Sequence, residues 1–157
     1  GFGISDIGTV IQFHALAMFA PSFFTGHLIK KFGAPTVIVV GTLLNALCMM
    51  VNLMGGYFFN FWGGLVLLGL GWNFMFVGGT TLLTDSYRPE EKSKVQAAND
   101  FIVFGMVSIA AFSSGILLDT LGWSAVNAAV TLPMCIAFAS VVWFRLVYLP
   151  RKEAALG

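Results

Sequence analysis

Five long apolar segments, parted only by short polar breaks, limit what this chain can fold into more than any other feature. They cover residues 7–29, 36–54, 58–83, 97–118 and 124–147, each holding 19 to 26 residues. None carries a charge near its centre. A helix rises about 1.5 Å per residue, so the shortest segment nearly matches a hydrocarbon core of roughly 30 Å, and the longer ones can tilt. Composition points the same way: 58% of the 157 residues are hydrophobic and 10% charged, against roughly 25% charged in an average soluble domain. A soluble domain needs a polar shell, and this chain cannot supply one. A cytosolic enzyme and a disordered chain are thereby excluded, and a net charge of +1 gives no field for nucleic acid. The expectation is an all-α integral membrane fold with five transmembrane helices.

The breaks carry the orientation signal. Residues 30–35 close the first segment, Gly55 and Gly56 turn between the second and third, residues 85–94 form the longest break, and residues 119–122 part the last two. Lys30 and Lys31 lie in the first break, Arg88, Lys92 and Lys94 in the third, and Arg145, Arg151 and Lys152 at the C-terminal end. All eight cations fall on one side of a five-span alternation. Under the positive-inside rule the N-terminus faces out and the C-terminus faces the cytoplasm. Pro89, Glu90 and Glu91 suit the first turn of a short helix in the third break. The chain opens on Gly1 without a signal-peptide pattern, and the expectation is a fragment of a longer protein, residues 1–157 forming one piece of a single domain.

A shift of 89 residues exposes an internal repeat. The run from Phe23 to Gly33 aligns with the run from Phe112 to Gly122, and Gly26, Leu28 and Gly33 meet Gly115, Leu117 and Gly122. Three spans separate the copies, so their orientation inverts. Inverted three-helix repeats underlie many secondary transporters. Glycine at a helix end permits close backbone approach and a sharp turn, which gives Gly33 and Gly122 a role as matched hairpin points.

These same residues resemble the major facilitator superfamily. The run Gly26-His27-Leu28-Ile29-Lys30-Lys31-Phe32-Gly33 is similar to its inner-loop motif G-x-L-x-D-R-x-G-R. Gly26, Leu28 and Gly33 match and Lys31 keeps a cation, while Lys30 replaces the acid and Ala34 and Pro35 replace the trailing basic residues. Any role of that acid therefore does not carry over. The charged break around Arg88, followed by Gly115 and the Gly122-Trp123 turn, also resembles the family's second half. The resemblance implies helices eight to twelve of a twelve-helix, alternating-access transporter in a bacterial inner membrane, driven by an ion gradient or by the substrate gradient. It implies a six-helix half-bundle, a missing N-terminal half as partner, the bilayer as setting, a small-molecule substrate and no cofactor. The first, third and fourth spans would line the substrate cavity.

Polar residues inside spans are the candidate functional groups, because each is costly in hydrocarbon. Asn73, Thr80 and Thr84 share a face of the third span, with Trp72 beside them as a stacking surface. They read either as a cavity wall or as interhelical hydrogen bonding helped by Gly69, Gly71, Gly78 and Gly79. In the first span Gln12 shares a face with Phe19, Ser22 and Gly26, whereas His14 shares one with Met18, Pro21 and Thr25. Gln12 joins the cavity candidates, and His14 is a candidate proton carrier or a hydrogen-bonded packing residue. Asp100 opens the fourth span, as a dipole-stabilised acid or as a gate contact to Arg88, Lys92 or Lys94. Asn45, Asn52 and Asn127 read as packing groups, Pro21 and Pro133 as kinks, and Cys48 and Cys135 as small hydrophobes. No serine–histidine pairing, Walker motif or metal-ligand cluster appears, so the expectation is a transporter without catalysis or metal; a non-transporting membrane scaffold is the alternative.

The charge alternation is checked by single cysteines at positions 30 and 88 in a cell-based labelling assay. Both are expected to react with a membrane-impermeant reagent only from the cytoplasmic side; labelling of either from outside undoes the span order.

Overall fold

The structure, a computed structural model, describes residues 3–55 and 57–148. Arg151, Lys152, Pro150 and Gly56 lie outside the described residues. Among the described residues all regular elements are helical: α1 (Ile4–Phe19), α2 (Ser22–Phe32), α3 (Ala34–Leu53), α4 (Phe58–Thr84) and α5 (Lys92–Trp143). A 3-10 turn (Pro89–Glu91) leads into α5, and a π-helical turn (Phe144–Tyr148) follows it. Helices α3 and α4 and the stretch Pro89–Val147 are each long and apolar enough to cross a membrane, with mean hydropathies of 2.0, 1.5 and 2.2. The pair α1 and α2 passes the same test together. The fold is thus that of a helical membrane protein with three to four candidate spanning helices.

The first apolar segment is kinked at the proline that the sequence marks: α1 and α2 are bent by 41° at Ala20 and Pro21. Proline lacks the N–H that would bond to the carbonyl four residues back, and its ring crowds that carbonyl. The third break is shorter than its polarity implies. Arg88 N–H is capped by Glu91 Oε2 at 3.1 Å, Pro89 opens the 3-10 turn, and α5 begins at Lys92. Asp100 therefore lies two turns inside α5, beyond the reach of the N-terminal dipole, and not at the start of a helix.

Gly33 and Gly122 are the residues with positive φ among the described residues, at 81° and 79°. The 89-residue shift superimposes one on the other. Gly33 ends α2, donating its N–H to Ile29 at 2.8 Å, and α3 starts at the next residue. Gly122 sits within α5 with non-helical angles and divides it in two. That division matters, because Pro89–Val147 holds 59 residues. At about 1.5 Å per residue, such a helix would be roughly three bilayer cores long.

The chain forms two compact units, Gly1–Gly79 with Met134–Gly157, and Thr80–Pro133. In the second, Gln96 Nε2 donates to Tyr87 Oη at 2.8 Å, tying the connector to α5. In the first, α4 contacts α3 on one face. Its glycines at 64, 71 and 78 recur every seven residues, and Asn52, Asn45 and Ile38 of α3 press against them in turn. The backbones themselves meet where a Cβ on Gly71 would lie 2.8 Å from the Gly41 carbonyl oxygen. Asn45 Oδ1 and Asn52 Oδ1 are buried without a hydrogen-bond partner among the described residues. Each occupies the space where a Cβ on the facing glycine, Gly71 or Gly64, would lie. Their amide nitrogens turn to sulfur, Asn45 to Met75 at 3.2 Å and Asn52 to Cys48 at 3.4 Å.

This seam predicts a contrast between glycines of one helix. Gly71→Ala drives a methyl into Asn45 and the Gly41 carbonyl, and is expected to cost about 1–3 kcal/mol, read as a lowered Tm in detergent. A Cβ at Gly63 meets nothing within 4 Å, so Gly63→Ala is expected to be neutral or stabilising by up to ~1 kcal/mol.

Candidate functional site

The opposite face of α4 meets the bent pair. Positions 62, 65, 69 and 73 fall within about 80° of one another around the helix, roughly opposite the glycine seam. Trp62 packs edge-on against Phe13, ring centroids 5.5 Å apart. The carbonyl of Leu65 receives a hydrogen bond from His14 Nδ1 at 2.8 Å. A carbonyl only accepts, so Nδ1 carries the proton and Nε2 is the nitrogen that gains one on protonation. Gly69 lets the helices close up: a Cβ there would lie 2.6 Å from the His14 carbonyl oxygen and 2.9 Å from Ala17 Cβ.

One turn further, Asn73 reaches the break between α1 and α2. Its Nδ2 donates to the Met18 carbonyl at 2.7 Å and to Ser22 Oγ at 2.6 Å. Its Oδ1 accepts from Thr25 Oγ1 at 2.7 Å, and that hydroxyl also lies 2.8 Å from the Pro21 carbonyl. In an unbroken helix the Met18 carbonyl would receive the N–H of Ser22. The bend frees it, and Asn73 takes that place. Thr25 is fully buried and Asn73 nearly so, at 3% exposure, while Ser22 leaves the cluster open on one side. A neighbouring helix that re-satisfies freed backbone groups is what permits a proline break in hydrocarbon.

The other sequence candidates fall as follows. His14, Met18 and Thr25, assigned to one face, all meet α4. Gln12 is exposed on α1. Trp72 is half-buried, its ring stacked on Phe76 at 5.8 Å and 9°. Thr80 is half-buried and begins the second unit. Gly26 and Gly115 do not mediate close approach, since a Cβ at either meets nothing within 4 Å. Leu28 is half-buried, and Lys30 and Lys31 are exposed, with Lys31 Nζ 5.2 Å from the Phe32 ring. Asp100 is exposed and accepts from Asn99 Nδ2 at 3.2 Å; among the described residues no ion pair joins it to Arg88, Lys92 or Lys94. No group of three metal-ligating side chains occurs among the described residues.

Two features escaped the sequence reading. Arg145 Nη1 donates to Thr36 Oγ1 at 2.9 Å across 109 residues of sequence. A cavity of about 170 Å³ opens between α1 and α4, lined by Asp6, Ile7, Val10, Ile11, Phe58, Phe61 and Leu65. It is smaller than the roughly 300 Å³ at which small-molecule sites begin. Asp6 Oδ2 is engaged by the Gly3 N–H at 3.1 Å.

The Major Facilitator Superfamily profile matches residues 1–156. The riboflavin transporter RfnT of Brucella anthropi is 46% identical over 127 residues, which cover 81% of this chain and 32% of that protein. Two MFS-type transporters of Bacillus subtilis also match. YddS is 30% identical over 146 residues, 92% of this chain and 34% of its own length. YdeG is 29% identical over 147 residues, with the same coverage of 92% and 34%. The chain thus spans about a third of the length of these curated relatives. No solved structure matches it significantly.

The Asn73 cluster is tested by removing it stepwise. Asn73→Leu deletes three hydrogen bonds and strands the Met18 carbonyl, an expected loss of roughly 1–3 kcal/mol. Thr25→Val removes one of them and is expected to cost about 1 kcal/mol. Thermal unfolding in detergent reads both; an unchanged Tm in Asn73→Leu would show that the cluster does not hold the break.

Proposed function

This chain belongs to the major facilitator superfamily, and from that premise we propose that it forms part of the second half of a secondary transporter for a flat heteroaromatic solute of the riboflavin kind. The 46% identity to a riboflavin transporter, over four-fifths of the chain, carries this reading. In it, the bent pair, α3, α4 and the two arms of α5 are five membrane crossings, helices eight to twelve of the whole protein. The N-terminal end faces out, the C-terminal end faces the cytoplasm, and the membrane is a bacterial inner membrane. The partner half and one further helix complete the cavity, and transport proceeds by alternating access, with no chemistry done on the solute.

The residues take distinct parts. Trp72 is the platform: its half-buried ring is already parallel to Phe76, and a flat ring system gains by stacking on such a surface. Gln12 supplies a polar contact. Asn73 acts behind Trp72, fixing α4 against the bend of α1 and α2. His14 is the coupling group: with Nδ1 committed to Leu65, a proton arrives at Nε2 and leaves from it. The Gly26–Gly33 motif takes a gating part in the first unit, and Arg88 and Asp100 take one in the second. Gly33 and Gly122 turn the chain at equivalent points of the two repeats.

Uptake of radiolabelled riboflavin by cells expressing the full-length protein tests the reading. Trp72→Ala is expected to raise KM about three- to ten-fold, the worth of one aromatic stacking contact, while Trp72→Phe stays near the parent. Uptake by the parent protein no greater than in empty cells would overturn the substrate.

A further inference from the structure

Charge in the first unit is sorted by position. Among its described residues the cations are Lys30, Lys31 and Arg145, and the acid is Asp6. Asp6 sits in the first turn of α1. All three cations are tied instead to the region of the Gly33 turn, at the far end of α2 and the start of α3. Lys30 and Lys31 occupy the last turn of α2, where the helix dipole favours them. Arg145 likewise lies near the end of its helix, in the last turn of the π-helical segment. It arrives from the π-helical turn after α5 and is held by a hydrogen bond to Thr36, in the first turn of α3. The Thr36 hydroxyl in turn donates to the Phe32 carbonyl at 2.6 Å, so the guanidinium is fixed to the turn that the lysines precede. Among the described residues no carboxylate neutralises any of the three.

The surroundings decide what such a patch meets. Phe32, under the Lys31 ammonium, is 53% exposed, and Val40 and Leu43 expose apolar surface further along α3. Long cationic side chains that rest their stems on apolar surface carry their heads to the phosphate level of a bilayer. A guanidinium with one donor spent on Thr36 still presents the fork that suits two phosphate oxygens. We propose that Lys30, Lys31 and Arg145 form a binding site for the phosphodiester headgroup of an anionic phospholipid, with Thr36 holding the arginine in place. The site requires a membrane setting and not transport, so it stands or falls apart from the proposed substrate.

Native mass spectrometry of the full-length protein in detergent tests this. Equal amounts of phosphatidylglycerol and phosphatidylcholine are added, and the retained molecules of each are counted. The protein is expected to retain phosphatidylglycerol preferentially. Arg145→Gln is expected to weaken that retention about five-fold, the worth of one surface cation, and Lys30→Gln with Lys31→Gln by more. Lys30→Arg with Lys31→Arg keeps it. The lysine positions are exposed, so their variants are expected to fold even if Arg145→Gln does not. Equal retention of the two lipids, or retention unmoved by the lysine pair, overturns the proposal. Displacement of phosphatidylglycerol by millimolar inorganic phosphate overturns it too, by assigning the cluster to a soluble anion.

Discussion

Hydrocarbon offers no hydrogen bonds, so any break in a membrane helix must be repaired by the protein itself. The break at Pro21 sets that demand here, and much of the first unit follows from it. The freed Met18 carbonyl needs a donor, and Asn73 of α4 supplies one. The amide is short, so α4 must come close. Gly69, one turn earlier, permits that approach by leaving room for the His14 carbonyl and Ala17. Ser22 and Thr25, just past the break, occupy the remaining capacity of the same amide. One side chain thereby ties both sides of the bend to a third helix.

The two faces of α4 are held by different physics. Toward α1 and α2 side-chain hydrogen bonds from His14 and Asn73 add to apolar packing at Trp62 and Gly69. Toward α3 the contacts are of shape, with Gly64, Gly71 and Gly78 receiving Asn52, Asn45 and Ile38. Lipid tails are as apolar as leucine, so burial of apolar surface cannot drive such helices together. Close backbone approach and hydrogen bonds do that work. This explains why a helix of so hydrophobic a chain spends five of its 27 residues on buried glycine and asparagine.

The sequence was legible where the signal is local. Apolar length marks the helices, and the 89-residue shift finds Gly33 and Gly122, because a positive φ needs glycine and the repeat places it twice. His14, Met18 and Thr25, which the helical period puts on one face, all bond to α4, and so does Ser22, which it puts on the other, because the bend interrupts the period. What lay hidden depends on partners distant in sequence. Asn73 was visible as a polar group in a span, but its bonds to residues 48 to 55 positions away were not. Arg145 read as a charge at a helix end, because nothing near it in sequence points to Thr36. Asp100 was misplaced for a different reason: Lys92 to Gln96 look like a loop by composition, yet they are the first turns of α5.

The departure of the inner-loop motif from its family pattern is reasonable in the same terms. The family's acid corresponds to Lys30, which lies in the last turn of α2, two residues before the helix ends at Phe32. The carbonyls there carry the negative end of the helix dipole, and a cation is favoured over an acid by a few tenths to about 1 kcal/mol. A lysine pair at this end is thus locally stable without a carboxylate partner. Its positive charge is not cancelled within the described unit, and Arg145 adds to it from the other end of the chain. A charge network such as an acid at position 30 would allow gives way to a cluster that no carboxylate among the described residues of this unit neutralises.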